Sequence, residues 1–150
     1  MTPLFQNFLL GHILFGLLAT VSSVMVFLGL VKNAGFQKIR INSLVGVLGF
    51  FISWILGGYY YVNFYGQQVK PAIKSGNYPW AHGIFMETKE HIFLFLPFLS
   101  LVLALLVWFL KNEVNKNSRL KKAGIFLAFM IIVLAVSVTF MGMLISGAVK

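Results

Sequence analysis

The chain has 150 residues, 59% of them hydrophobic and only 10% charged, with a net charge of +9 and no cysteine. A soluble domain carries roughly 25% charged residues, so this composition cannot clothe a water-facing surface, and the mean hydropathy of +0.90 agrees. Without cysteine, disulfides, iron–sulfur clusters, thiolate zinc sites and covalent haem attachment through CxxCH are excluded.

Only helices and closed barrels satisfy all their backbone polar groups in lipid. The apolar runs here are long and lack the period-two alternation of barrel strands. They predict an all-α integral membrane four-helix bundle, one transmembrane domain over residues 1–150.

The first predicted span covers about residues 8–31. No Lys or Arg precedes Lys32, and the run outlasts the apolar core of a signal peptide, so it reads as a retained first helix. His12 stands near its start, and Gly16, Ala19 and Ser23 share its face. The second span, about residues 41–65, carries Asn42, Gly46, Gly49, Ser53 and Gly57 along one side. It closes on Tyr59, Tyr60, Tyr61 and Tyr65, an aromatic belt for the membrane interface. Gly66, Pro71, Gly76 and Pro79 then predict an ordered turn or a short re-entrant piece.

Tyr78 and Trp80 lead into the third span, about residues 84–110, in which Pro97 predicts a kink. Its opening reads HGIFMETKEH, from His82 to His91, and holds two of the three histidines and two of the three acids. The fourth span, about residues 123–149, has a small-residue face of Ala128, Ala135, Thr139, Gly142 and Ser146. Such faces let helices approach closely in lipid, and they also leave room for a flat macrocycle.

The first loop carries Lys32, Lys38 and Arg40; the third carries Lys111, Lys116, Arg119, Lys121 and Lys122. These eight basic residues stand against four at the other end, Lys70, Lys74, Lys89 and Lys150. The bias puts the two basic loops in the cytoplasm and predicts a multi-pass protein with both termini extracytoplasmic. The positive charge therefore reads as an orientation signal; the expected surroundings are the lipid bilayer, with no nucleic acid as partner.

Ionisable residues in or beside a span are costly and are functional candidates. With this orientation His12, His82, His91, Glu87, Glu90, Met141 and Met143 all gather in the outer leaflet. Glu87 and His91 lie four apart and share a helix face. Ser100 and Ala104 mark the opposite face as the packing face, which would turn His91 away. An inward His91 is nevertheless the expectation, because it keeps Glu87 and His91 from the acyl chains. His82, Lys89 and Glu90 read as interfacial groups that reach headgroups and water.

The leading reading is a b-type haem between His12 and His91, transferring electrons at the outer side of the membrane. Glu87 would stand behind His91, Lys89 (or Lys70 or Lys74) would pair with the propionates, and Gly16 would give the macrocycle space. A redox partner or a quinone would exchange the electrons. One alternative is a copper, iron or zinc ion on His12, His91 and Glu87, with Met141 or Met143. Another is a cofactor-free subunit or anchor of a larger membrane complex, or a homo-oligomer. Four spans with histidines on facing helices resemble the small membrane b-type cytochromes in layout, a likeness that implies haem b. The chain has no HExxH, Walker loop, GxSxG or paired ExxH motif, so no reaction is assigned to it.

Overall fold

The computed structural model describes residues 3–109 and 117–149. Leu110 at the end of the third predicted span, Lys111, Glu113 and Lys116 of the third loop, and the terminal Lys150 lie outside the described residues. Helices α1 (Pro3–Val31) and α2 (Phe36–Tyr60) come first. A π-helical segment, Tyr61–Val69, joins α2 to the short α3 (Lys70–Ser75). A second π-helical segment, Ala81–Met86, leads into α4 (Glu87–Phe109), and α5 (Ser118–Gly147) ends the fold. Four helical stretches are long and apolar enough to cross a membrane: Pro3–Val31, Phe36–Ser75, Ala81–Phe109 and Ser118–Gly147.

The four pack as a ring, α1 on α2, α2 on α4, α4 on α5 and α5 back on α1, with α1 and α2 the closest pair. Phe8 stacks on Tyr59, and Phe5 meets Phe64 at a tilt, so the start of α1 meets the end of α2 and the segment that follows it. His12 meets Phe93 near the start of α4. The chain therefore runs up, down, up and down, as short connections between bundle helices require.

The bundle is built with its small and hydroxylic residues inside. Ala19, Ser22, Ser23, Ser43, Ser53, Ser100, Ala104, Ala128 and Ala135 are buried, while Leu10, Leu14, Ile55, Phe95, Phe126 and Phe140 face outward. In water an exposed surface of that kind would aggregate. In lipid it costs nothing, because acyl chains solvate leucine and phenylalanine as well as a protein core does, and helices associate by close backbone approach.

Local chemistry sets the helix ends. Asn33 adopts a left-handed conformation, φ 52°, which its short polar side chain tolerates better than most residues. The Ala34 amide then donates back to the Gly29 carbonyl at 2.9 Å, closing α1 in a Schellman turn and reversing the chain toward α2. Lys121 Nζ donates to Asn33 Oδ1 at 2.7 Å and ties this turn to α5. At the same end the Arg40 guanidinium lies 3.9 Å from the centre of the Trp108 ring. Asn117 caps α5 by accepting from the amides of Arg119 and Leu120.

The turn expected over residues 66–79 differs from what is observed. Helical structure continues through Ser75, and the break is confined to residues 76–79. Pro71 falls in the first turn of α3, directly after the π-helical segment. The extension packs back on the bundle, with Tyr65, Ile73, Ala81 and Ile145 forming a small buried cluster.

Candidate functional site

His12 lies between α1 and α2, and its neighbours hold it in one orientation. Ser53, fully buried on α2, donates from Oγ to the His12 backbone carbonyl at 2.8 Å. The His12 Nδ1 lies 2.9 Å from the Ser53 carbonyl and 3.0 Å from Ser53 Oγ. A carbonyl only accepts, so Nδ1 carries the proton, and in the neutral ring Nε2 is left with its lone pair. Phe93 meets the imidazole edge-on, with 5.5 Å between centroids. Gly57 makes the room: a Cβ at that position would lie 2.5 Å from His12 Nδ1.

Below and beside this ring the bundle holds a cavity of about 550 Å³. Its walls come from all four spanning helices, including Gly16 and Thr20 of α1, Phe50 and Ser53 of α2, Phe93 and Leu96 of α4, and Ala135, Thr139 and Gly142 of α5. Ile13 and Leu17 on α1 and Met143 on α5 are also part of the lining, and they are 46%, 47% and 66% exposed. The cavity therefore opens sideways, between α1 and α5, toward lipid. Its two ionisable groups, His12 and Lys89, lie at one end with Ser53, while Thr20, Thr139 and Ser146 add hydroxyls to the rest of a mostly apolar lining. A second, smaller cavity of about 260 Å³ lies between α2 and α4, lined by Trp54, Gly58, Tyr61 and Glu90. His12, Lys89 and Phe93 border both, so these three side chains form the partition.

Of the residues expected to form one site, the structure brings His12, Gly16 and Lys89 together. It does not bring His91 or Glu87 to them. His91 is exposed, and its Nδ1 donates to the Glu87 carbonyl of its own helix at 2.6 Å. The expected inward turn of His91 is thus corrected. Lys89, Phe93, Leu96, Ser100 and Ala104 form the inner stripe of α4, and a residue two positions after Lys89 points about 200° away from it. Glu87 and Glu90 are exposed as well. Met143 stands at the cavity mouth, whereas Met141 is not part of the lining. Among the described residues, no group of three or more His, Asp or Glu side chains converges as a metal cage would require.

Lys89 also departs from expectation: it is half-buried and turned into the bundle, not reaching for headgroups. His82 departs further. It is fully buried, with Nδ1 3.1 Å from the Tyr65 hydroxyl and Nε2 without a hydrogen-bond partner. Glu87 Oε1 approaches that Nε2 only to 3.9 Å. The π-helical segments that carry Tyr65 and His82 place the two side chains in contact, and such segments recur at functional sites.

Fold and interior together define an integral membrane four-helix bundle with a polar-ended cavity inside it. No protein-family model matches the chain, and no curated protein or solved structure matches it either.

Proposed function

We propose that this chain is a membrane subunit that holds a lipophilic molecule inside its bundle, taken sideways from the bilayer. One observation carries the reading: the interior cavity of about 550 Å³ is lined mostly by apolar residues, holds its ionisable groups His12 and Lys89 at one end, and is open toward lipid. Small-molecule sites have this character, concave and mostly apolar with a few polar groups that fix orientation, at roughly 300–1,000 Å³. The subunit would serve a larger membrane complex or a homo-oligomer. Organic extraction of the protein purified in mild detergent, followed by mass spectrometry, tests the reading. Near-stoichiometric recovery of one lipophile is expected. Gly142→Leu, which drives a side chain into the cavity beside Lys89, should lose it. Gly83→Leu, at a position with open space around it, should keep it. Equal recovery from both variants would place the molecule elsewhere.

A second reading has its own support. A metal-bound histidine almost always donates its other ring N–H to a carbonyl or carboxylate. His12 does so to Ser53, leaving Nε2 as the ligand nitrogen beside the cavity. A b-type haem, or a copper, iron or zinc ion, would bind through that nitrogen, with a redox partner or a quinone to exchange electrons in the haem case. His91 and Glu87 would not take part without a rearrangement of α4. Absorption spectra of the oxidised and dithionite-reduced protein, with elemental analysis, separate this reading from the first. A reduced haem band that disappears in His12→Ala supports it, and a colourless, metal-free protein removes it.

The orientation is part of the proposal. The eight-to-four distribution of basic residues favours both termini and the 76–79 turn outside the cytoplasm. A single cysteine at Ser75, in a chain with none of its own, should react with an impermeant maleimide on intact cells. Reaction only after lysis reverses the orientation.

A further inference from the structure

We propose that the larger cavity takes a long-chain carboxylate, a fatty acid drawn from the bilayer, with its head at Lys89 and His12 and its chain leaving between α1 and α5. This names the ligand of the site above and rests on that reading.

Lys89 carries the argument. It shares the inner face of α4 with Phe93, four residues on, and its Nζ reaches across to Gly142 on α5, where even a methyl group would stand 3.3 Å away. No carboxylate lies within 4 Å of it: among the described residues the one close acid–base contact joins His82 and Glu87. Glu90, the next residue, borders the smaller cavity with Lys89 but is not part of the larger cavity's lining. A cation held among apolar groups attracts an anion far more strongly than it would at a wet surface, because little solvent screens the pair. A neutral acceptor, such as a quinone carbonyl or an alcohol, would bond to the ammonium and leave its charge uncompensated. A fatty acid sets a full negative charge directly against the ammonium.

The shape agrees with one chain and a small head. The mouth lies between two helices; its exposed lining is Ile13, Leu17 and Met143, with Ser146 and Gly147 at the end of α5. A phospholipid would have to bring a bulky headgroup, anchored in the interface, and two chains through that opening. His12 supplies the complementary polar group. A fatty acid crosses the lipid as the neutral acid; as its O–H bond breaks, His12 Nε2 takes the proton and an N–H bond forms. The carboxylate is left between an imidazolium and an ammonium, and the arriving molecule has added no net charge.

The experiment measures equilibrium binding of radiolabelled oleate and oleyl alcohol to the full chain, delipidated in detergent. The wild-type protein should prefer oleate by about tenfold or more, the worth of a charge-assisted hydrogen bond. Lys89→Met should bring oleate down to the level that the same variant shows for the alcohol; Lys89→Arg should keep the preference. Equal binding of acid and alcohol by the wild type overturns this ligand class while the lipophile-binding reading stands. Binding of neither overturns that reading too. Competition arms with decylubiquinone and phosphatidylglycerol complete the test, and displacement of oleate by either at lower concentration than oleate itself also overturns the proposal. The wild-type comparisons decide the matter even if a variant misfolds.

Discussion

Replacing Gly49 with alanine is expected to lower the unfolding midpoint of the detergent-solubilised protein, while the same change at Gly58 raises it modestly. Both glycines lie in α2, so intrinsic helix preference treats them alike and favours alanine by about 1 kcal/mol in each case. Their surroundings differ. A Cβ at Gly49 would stand 2.9 Å from the Ala19 Cβ, 3.0 Å from the Phe15 carbonyl oxygen and 3.3 Å from the Ala19 amide nitrogen. Two of those atoms are backbone of α1, so no side chain can rotate to yield; the helices must separate. Overpacking of that kind costs on the order of 1–3 kcal/mol. Gly58 has no atom within 4 Å of the added methyl. Circular-dichroism melts of the two variants against the parent check this, and an unchanged midpoint for Gly49→Ala would mean that α1 and α2 are not packed this closely.

Gly57→Ala should be comparably damaging, and His12→Ala should partly rescue it. The new methyl would lie 2.5 Å from His12 Nδ1 and 2.9 Å from Cε1, inside van der Waals contact. The imidazole has no easy retreat, since Ser53 holds it from one side and Phe93 meets it edge-on. Gly57→Ala therefore either pushes the ring off Ser53 or spreads α1 from α2, at roughly 1–3 kcal/mol. His12→Ala alone gives up its hydrogen bond to Ser53, about 0.5–1.5 kcal/mol net. Combined, the two changes remove the collision, so the double variant should be more stable than Gly57→Ala alone. The quantity to measure is the interaction free energy of the double-mutant cycle. Strict additivity would show that the ring is not the obstacle.

The spans and their packing faces were legible from the chain alone, because long apolar runs and small residues three and four apart have few other meanings in lipid. The stripe through Gly46, Gly49 and Ser53 lies buried, and His12 stands at the polar end of the cavity. The partners of His12 were harder to read. Ser100 and Ala104 give the true phase of α4, and sheltering His91 and Glu87 from lipid does not require turning them inward: at a helix entrance the interface offers such groups water and headgroups. Lys89 runs the other way: a lysine near an interface is expected to snorkel outward, and this one turns into the bundle. His82 was out of reach for another reason. It sits in a π-helical segment, where the 100° rotation per residue used to assign faces no longer holds. The extension of helix past Tyr65 begins in another such segment, which no hydropathy pattern announces.

The sideways mouth between α1 and α5 changes what concentration means for this protein. A molecule that arrives through the bilayer is dissolved in a two-dimensional solvent, and its supply is set by its mole fraction among lipids. Diluting the surrounding buffer then leaves occupancy untouched, whereas adding plain lipid or detergent empties the site. Affinities obtained at different micelle loads will disagree until they are expressed per lipid molecule. In a cell the same feature would make the site respond to the composition of its own membrane.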